Sequence, residues 1–338
     1  MTVTRRHSLL GTAAALVAAG HARTAHAATD LARLQEAAKR EGRITFYCSQ
    51  PPALSQRPIN GFKARYPGVE IDLLRLSTGP LGRRFETETS SGADVADVLQ
   101  LADPVLVASA AGKSWLASLT DLPAHATFPA AFKTAESATV RIDPHTVTYN
   151  TQNVRDTEAP KAWPDVLDPR WKGRILCPDL RISIMLIYWA VLMADTYGKD
   201  YLSKLAAQNL RWVPSQIPGS QLLGAGEADL LFPNQKQVTA SFIESGAPLV
   251  DVIPGPGPYA GHEGVLAIPA RAPHPAGARL LGNFIMSREG AVFLNKDVSY
   301  SPLPDIPGAL PMPATYKRLD APEVLKRQAE VLELLKLK

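Results

Sequence analysis

The chain has 338 residues, 46% of them hydrophobic and 20% charged, a formal net charge of +4, and two cysteines. Residues 1–27 hold Arg5, Arg6 and Arg23 and no acid, so the remainder carries only +1. That balance, with no basic run interleaved with aromatics, excludes nucleic-acid binding through a basic surface.

Residues 1–27 read as an export signal. Arg5 and Arg6 begin it, the apolar stretch SLLGTAAALVAAG follows, and AHA at 25–27 is a small-x-small cleavage site. TRRHSLL is similar to a twin-arginine signal, with Ser8 where Phe is usual, so the ordinary export route stays open. The expected location is the periplasm. Beyond this segment the longest apolar run, ISIMLIYWAVLMA (182–194), has 13 residues, which suits a core helix and not a bilayer span. About 310 mature residues suggest two lobes. Cys48 and Cys177 reach an oxidising compartment, but their separation says nothing about their distance, and two separate buried thiols are expected over a disulfide.

The elements follow in chain order. TDLARLQEAAKREG (29–42) has helical spacing and a glycine stop at Gly42; RITFYC (43–48) alternates as a strand. SQPPALSQ reads as a loop, RPINGFKARYPG as a helix, VEIDLLRL (69–76) as a strand. STGPLGRRFETETSSG (77–92) opens with helix caps, and ADVLQL (96–101) is a buried strand. This alternation predicts a mostly parallel sheet covered by helices. TVTYNTQNV (146–154) then predicts a strand and turn, and SIMLIYWAVLMADTYG a helix capped by Ser183 and stopped at Gly198. Further on come the helix YLSKLAAQN, the strand RWVPS, and GSQLLGAGEADLLF, a short helix and a strand that Pro233 is expected to end. Strand-like segments to 268, a helix pair and an amphipathic tail helix complete the chain. The class is α/β with two lobes, the first spanning 28–145 and 266–338, the second 146–265. Hinge crossings are expected near 140–150 and 252–265, with the ligand cleft between the lobes.

EAPKAWPDVLDPRWKGRIL (158–176) resembles the P-x-W-x-D-L-L-D-P-x-W-K-G-K-I segment of type II periplasmic solute-binding proteins, in the branch that includes ferric-ion-binding proteins. ITFYCSQ, the STGPLGRR helix start, YNTQNV, GEADLLF and GVLAIPARAPHPAGARLLGNF match in the same order. The resemblance implies a type II periplasmic-binding fold, capture of a solute, and delivery to an ABC transporter permease, with no enzymatic activity. In the iron-binding branch a His, a Glu and two adjacent Tyr hold the metal. Here those slots fall near Pro51, Ala102, Lys236 and Gln237. A ferric ion prefers anionic oxygen ligands, and these residues supply none. The expected solute is therefore a small organic anion: a carboxylate, phosphonate or phosphate ester. No cofactor and no metal are expected, and the protein is expected to be monomeric.

Ligands sit beyond the carboxyl ends of the strands in open α/β sheets. Ser49 and Gln50 follow the first strand. Thr78 and Gly79 open a helix whose free N–H groups suit an anion. Asp103 follows the third strand, as a helix cap or a contact. Tyr149 lies at a crossing, to stack or to pack, and so does Tyr259. Arg181 and Ser183 precede the long apolar helix, with Arg181 as a bidentate partner for an anion. Lys236 follows DLLFPNQ at a strand end. These ten residues are the candidate ligand contacts. Two other readings share the architecture: an enzyme using Cys48 as nucleophile, with His262 or Glu263 as base, and a ferric-ion binder with a different ligand set.

Overall fold

A computed structural model describes residues 31–318 and 320–337. The export signal expected at 1–27 lies outside the described residues.

The first helix, α1, covers 31–41. Gly42 ends it at φ +82°, a conformation that only glycine adopts without strain. Strand β1 (Arg43–Cys48) follows, then α2 (Pro52–Arg65), β2 (Glu70–Arg75), α3 (Thr78–Ser91), β3 (Val98–Leu101), α4 (Pro104–Gly112) and the short α5 (Pro123–Thr127). Alternate residues of β1 serve opposite faces. Ile44, Phe46 and Cys48 enter one core with Leu281 and Leu294; Tyr47 enters another with Leu81 and Leu99. Of SQPPALSQ, expected to be a loop, residues 49–51 are loop and residues 52–56 already belong to α2. Pro52 stands at the first helical position, where its missing N–H costs nothing.

Strand β4 (Ser137–Asn150) is the longest and is buried along nearly its whole length. After it come β5 (Ile175–Pro178), α6 (Ile184–Tyr197), α7 (Lys199–Ala206), β6 (Arg211–Val213), α8 (Gln216–Gly224), β7 (Leu230–Gln235), α9 (Lys236–Glu244) and β8 (Leu249–Val252). The chain closes with β9 (Gly261–Ala267), α10 (Pro275–Met286), α11 (Arg288–Asn295) and α12 (Ala321–Leu334). The strand order is β2-β1-β3-β9-β4-β7-β5-β6, with β8 also paired to β4.

Two halves result, and β4 belongs to both. Its first half runs antiparallel to β9, its second half antiparallel to β7 and β8. On one side β1 pairs parallel with β2 and β3. On the other, β5 pairs parallel with β6 and β7. Each half has its own apolar core; the second is built on Trp189, Leu186 and Phe232.

Three sequence expectations need correction. Pro233 does not end β7. The strand passes it because β4 offers one residue, Val147, against Phe232 and Pro233, a bulge that needs no N–H from the proline. The strand expected to start at 146 and to lead into a turn begins instead at Ser137, and the turn follows Asn150. The tail helix does not return to the first lobe: Val324, Val331 and Leu335 of α12 are buried in the second core, against α6. Cys48 and Cys177 are both free and buried.

Candidate ligand-binding cleft

The carboxyl ends of strands from both halves face one cleft. From the first half come Ser49 and Pro51 after β1, Arg75 at the end of β2, Ser77 and Thr78 at the start of α3, and Ala102 after β3. From the second come Ile182 and Ser183 before α6, Ser215 and Gln216 at the start of α8, and Gln235, Gln237 and Val238 around the start of α9. Arg141 of β4 and His262 of β9 complete the lining. The sides nearly touch: a β-carbon on Gly79 would stand 3.4 Å from the carbonyl oxygen of Ile182. The cavity volume is only about 60 Å3.

Several helix N-termini converge here, and three of them lack a side-chain cap. Ser77, Ser215 and Gln235 make no capping hydrogen bond to α3, α8 and α9. Ser77 and Ser215 are good capping residue types, so first-turn N–H groups of α3 and α8 stay available at the cleft. The helix dipoles add partial positive charge at the same point.

Two guanidiniums reinforce it. Arg75 is held through Nε, which donates to the Gln50 carbonyl at 3.1 Å. Among the described residues no carboxylate lies within ion-pair distance of it. Arg141 is 1% exposed and ion-paired with the fully buried Asp143. Its Nη1 also donates to Gln237 Oε1 at 3.3 Å. Burial lowers its pKa to about 10, which still leaves it charged at neutral pH. Gln237 Nε2 donates to Asp143 Oδ2 at 2.8 Å and to Gln235 Oε1 at 2.9 Å. Asp143 Oδ1 accepts from Ser299 at 2.6 Å. The carboxylate is thereby fully used.

Three of the residues lining the cleft carry a buried nitrogen without a partner: Arg141 Nε, Gln235 Nε2 and His262 Nε2. A buried polar group without a partner costs about 1–3 kcal/mol. His262 meets His145 edge to face, with ring centroids 5.2 Å apart. Burial pushes both pKa values down, that of His145 to about 3, so both rings are neutral at pH 7.

Of the candidate contacts read from the sequence, Ser49, Thr78 and Ser183 line this cleft, and Gly79, next to Thr78, lies close to the Ile182 carbonyl of the other side. Ser183 also caps α6. Gln50 lies behind, its amide buried without partners while its carbonyl steadies Arg75. The rest are elsewhere. Asp103 caps α4 and shares a separate depression with Arg181. Arg181 is bound through Nε and Nη2 to Asp179. Tyr149 is buried in the second core and donates to Asp156 at 2.8 Å. Lys236 begins α9 but is not among the residues lining the cleft, and Tyr259 packs on Gly255 and Gly257. The cations found instead, Arg75 and Arg141, were missed. Arg75 was legible as the last residue of a strand; Arg141 sits in a strand segment that was not recognised.

Pro51, Ala102 and Gln237, the slots matched to iron ligands, do line the cleft. No tyrosine does, and among the described residues no group of three or more His, Cys, Asp and Glu gathers to hold a metal. Cys48 is fully buried, with Ser55 and Gln100 as neighbours, and burial raises its thiol pKa. None of these neighbours is a base.

This fold is that of a two-lobed periplasmic binding protein. A model of the bacterial extracellular solute-binding protein family matches residues 49–292, and the chain belongs to that family. The family places it among exported solute-binding components of ABC transporters, whose partner is a membrane permease. Among curated proteins, none matches the chain in sequence. Several solved structures share the fold. The substrate-binding protein of an ABC transporter from Agrobacterium tumefaciens is 16% identical over 87% of this chain and 94% of its own, at a TM-score of 0.75. AfuA from Actinobacillus pleuropneumoniae, with fructose 6-phosphate bound, is 22% identical over 88% and 99%, at 0.69. Iron-bound HitA from Pseudomonas aeruginosa is 19% identical over 87% and 98%, at 0.68.

Proposed function

We propose that this protein captures a small organic anion in the periplasm and delivers it to an ABC permease. The observation that carries this reading is the convergence of Arg75, Arg141 and three uncapped helix N-termini on a cleft that has no unused carboxylate. Each of these features attracts negative charge and repels a metal ion. The ion pair with Asp143 neutralises Arg141 in part, so Arg75 supplies the uncompensated charge.

Capture is by closure. One lobe comprises α1–α5, β1–β3, β9, α10 and α11; the other comprises β5–β8, α6–α9 and α12. They are joined by β4, by residues 253–260, and by the segment leading into α12. With a cavity of about 60 Å3, the sides must part to admit a solute. A ligand favours the closed form only through contacts made to both lobes at once. Thr78 and Arg75 on one side and Ser183, Ser215 and Gln235 on the other are placed to make them.

A thermal-shift screen of carboxylates, phosphonates, sugar phosphates and metal ions tests the reading, since a ligand bound only by the folded form raises the midpoint. Stabilisation by an anion supports it. Stabilisation by ferric ion alone, or by a neutral solute, overturns it.

A further inference from the structure

We propose that the cleft selects a tetrahedral oxyanion headgroup, a phosphate or phosphonate, whose remaining substituent is small and carries no amine. The proposal deepens the anion reading and rests on it.

The first argument is directional. Donors come from both halves and from the central strands. Arg75 and Thr78 belong to one half, Ser215 and Gln235 to the other, and Arg141 and His262 to the paired strands β4 and β9. The lining residues Arg75, Thr78, Arg141 and Gln235 carry side-chain donors, Gln235 Nε2 being buried and unpartnered, and three uncapped helices of nine or more residues add first-turn N–H groups. A carboxylate presents two oxygens in one plane and turns its carbon toward the remaining donors. A phosphonate or phosphate monoester presents three terminal oxygens around an axis, so donors from both halves and from the central strands all find acceptors.

The second argument is what the lining lacks. No Phe, Tyr or Trp lines the cleft, and the His262 imidazole is already packed edge to face on His145. No carboxylate lines the cleft, and Asp143, the partner of the lining Arg141, is consumed by Arg141, Gln237 and Ser299. Asp103 lines an adjoining depression that shares Ser183 alone with the cleft. A ligand ammonium would meet Arg75 and find no counter-charge.

Calorimetric titration of the full chain with inorganic phosphate, methylphosphonate, 2-aminoethylphosphonate and malonate tests this. Methylphosphonate or phosphate is expected to bind at least about 10-fold more tightly than malonate and than the aminophosphonate, the factor that one charge-assisted contact provides. Arg75→Gln, which breaks no ion pair, is expected to lower that affinity by about 10-fold or more with unchanged thermal stability. Equal or tighter binding of malonate overturns the headgroup assignment while the anion reading stands. Tighter binding of the aminophosphonate overturns the exclusion of an amine. Heat from none of these probes, with a response to ferric ion, overturns both.

Discussion

Gly264 faces Arg141 across the β4–β9 ladder, and the arginine side chain fills the space a side chain at 264 would take. A β-carbon there would stand 2.6 Å from Arg141 Cγ and 2.7 Å from its Nε. The glycine is thus what lets a buried guanidinium lie across the strand pair. Gly264→Ala is expected to displace Arg141, costing about 1–3 kcal/mol by overpacking and weakening anion binding. Urea unfolding and calorimetry measure the two effects; a variant with wild-type values of both would show that the strand pair yields freely.

Arg75 and Arg181 separate the cleft from its surroundings. Arg181 is engaged with Asp179 outside the cleft, and Arg75 lines it. Arg181→Ala is expected to leave affinity within a factor of about two, while Arg75→Ala lowers it about 10-fold or more, the loss of one charge-assisted hydrogen bond. The reverse ranking in titration of the same anion would place the site in the Arg181 depression.

The histidine pair makes stability depend on pH. Burial holds the native pKa of His145 at about 3 and lowers that of His262. An unfolded histidine titrates near 6.5. Above that pH neither state is protonated and stability is full. As pH falls below about 6.5 the unfolded chain takes up these protons before the native one does, for His145 down to about 3, and stability falls by up to about 1.4 kcal/mol per pH unit for each ring. Urea midpoints at pH 7.5, 6.5 and 5.5 should therefore decline, and His145→Phe should flatten the decline. A flat profile for the wild type would contradict the buried neutral pair.

Arg318 closes a second buried network. Its Nη2 donates to Glu263 Oε2 at 2.7 Å, and Glu263, 1% exposed, also accepts from Tyr316 at 3.1 Å. Tyr188 of α6 donates to the carbonyl of Lys317 at 2.8 Å, which ties the same segment to the second core. Arg318→Ala leaves a buried carboxylate short of its cation. Arg318 is partly exposed, which discounts the penalty to about 1–3 kcal/mol. Adding Glu263→Gln should recover about half of it; no recovery would mean the loss comes from packing on Phe132 instead.

The alternating elements of the first half were legible because β1, β2 and α3 carry conventional signals: alternation, serine caps and glycine stops. Strand β4 was cut short because its burial on both faces erases the period of two, and Arg141, Asp143 and Pro144 look foreign to a strand. The site was half legible. Ser49, Thr78 and Ser183 follow from the rule that ligands sit beyond strand ends. Arg181 and Lys236 were favoured because a charge after a strand resembles a contact, yet the sequence does not show that Asp179, two residues away, takes up Arg181. Arg141 was invisible for the opposite reason: its seat depends on Gly264 and Gln237, both far along the chain.

The placement of α12 bears on how the protein matures. Helix α6 is apolar around its whole circumference, and one flank is sealed by Val324, Val331 and Leu335, which lie far downstream. Contacts so distant in sequence form slowly. The second lobe therefore cannot finish its packing until residues 321–335 are present to cover that flank of α6.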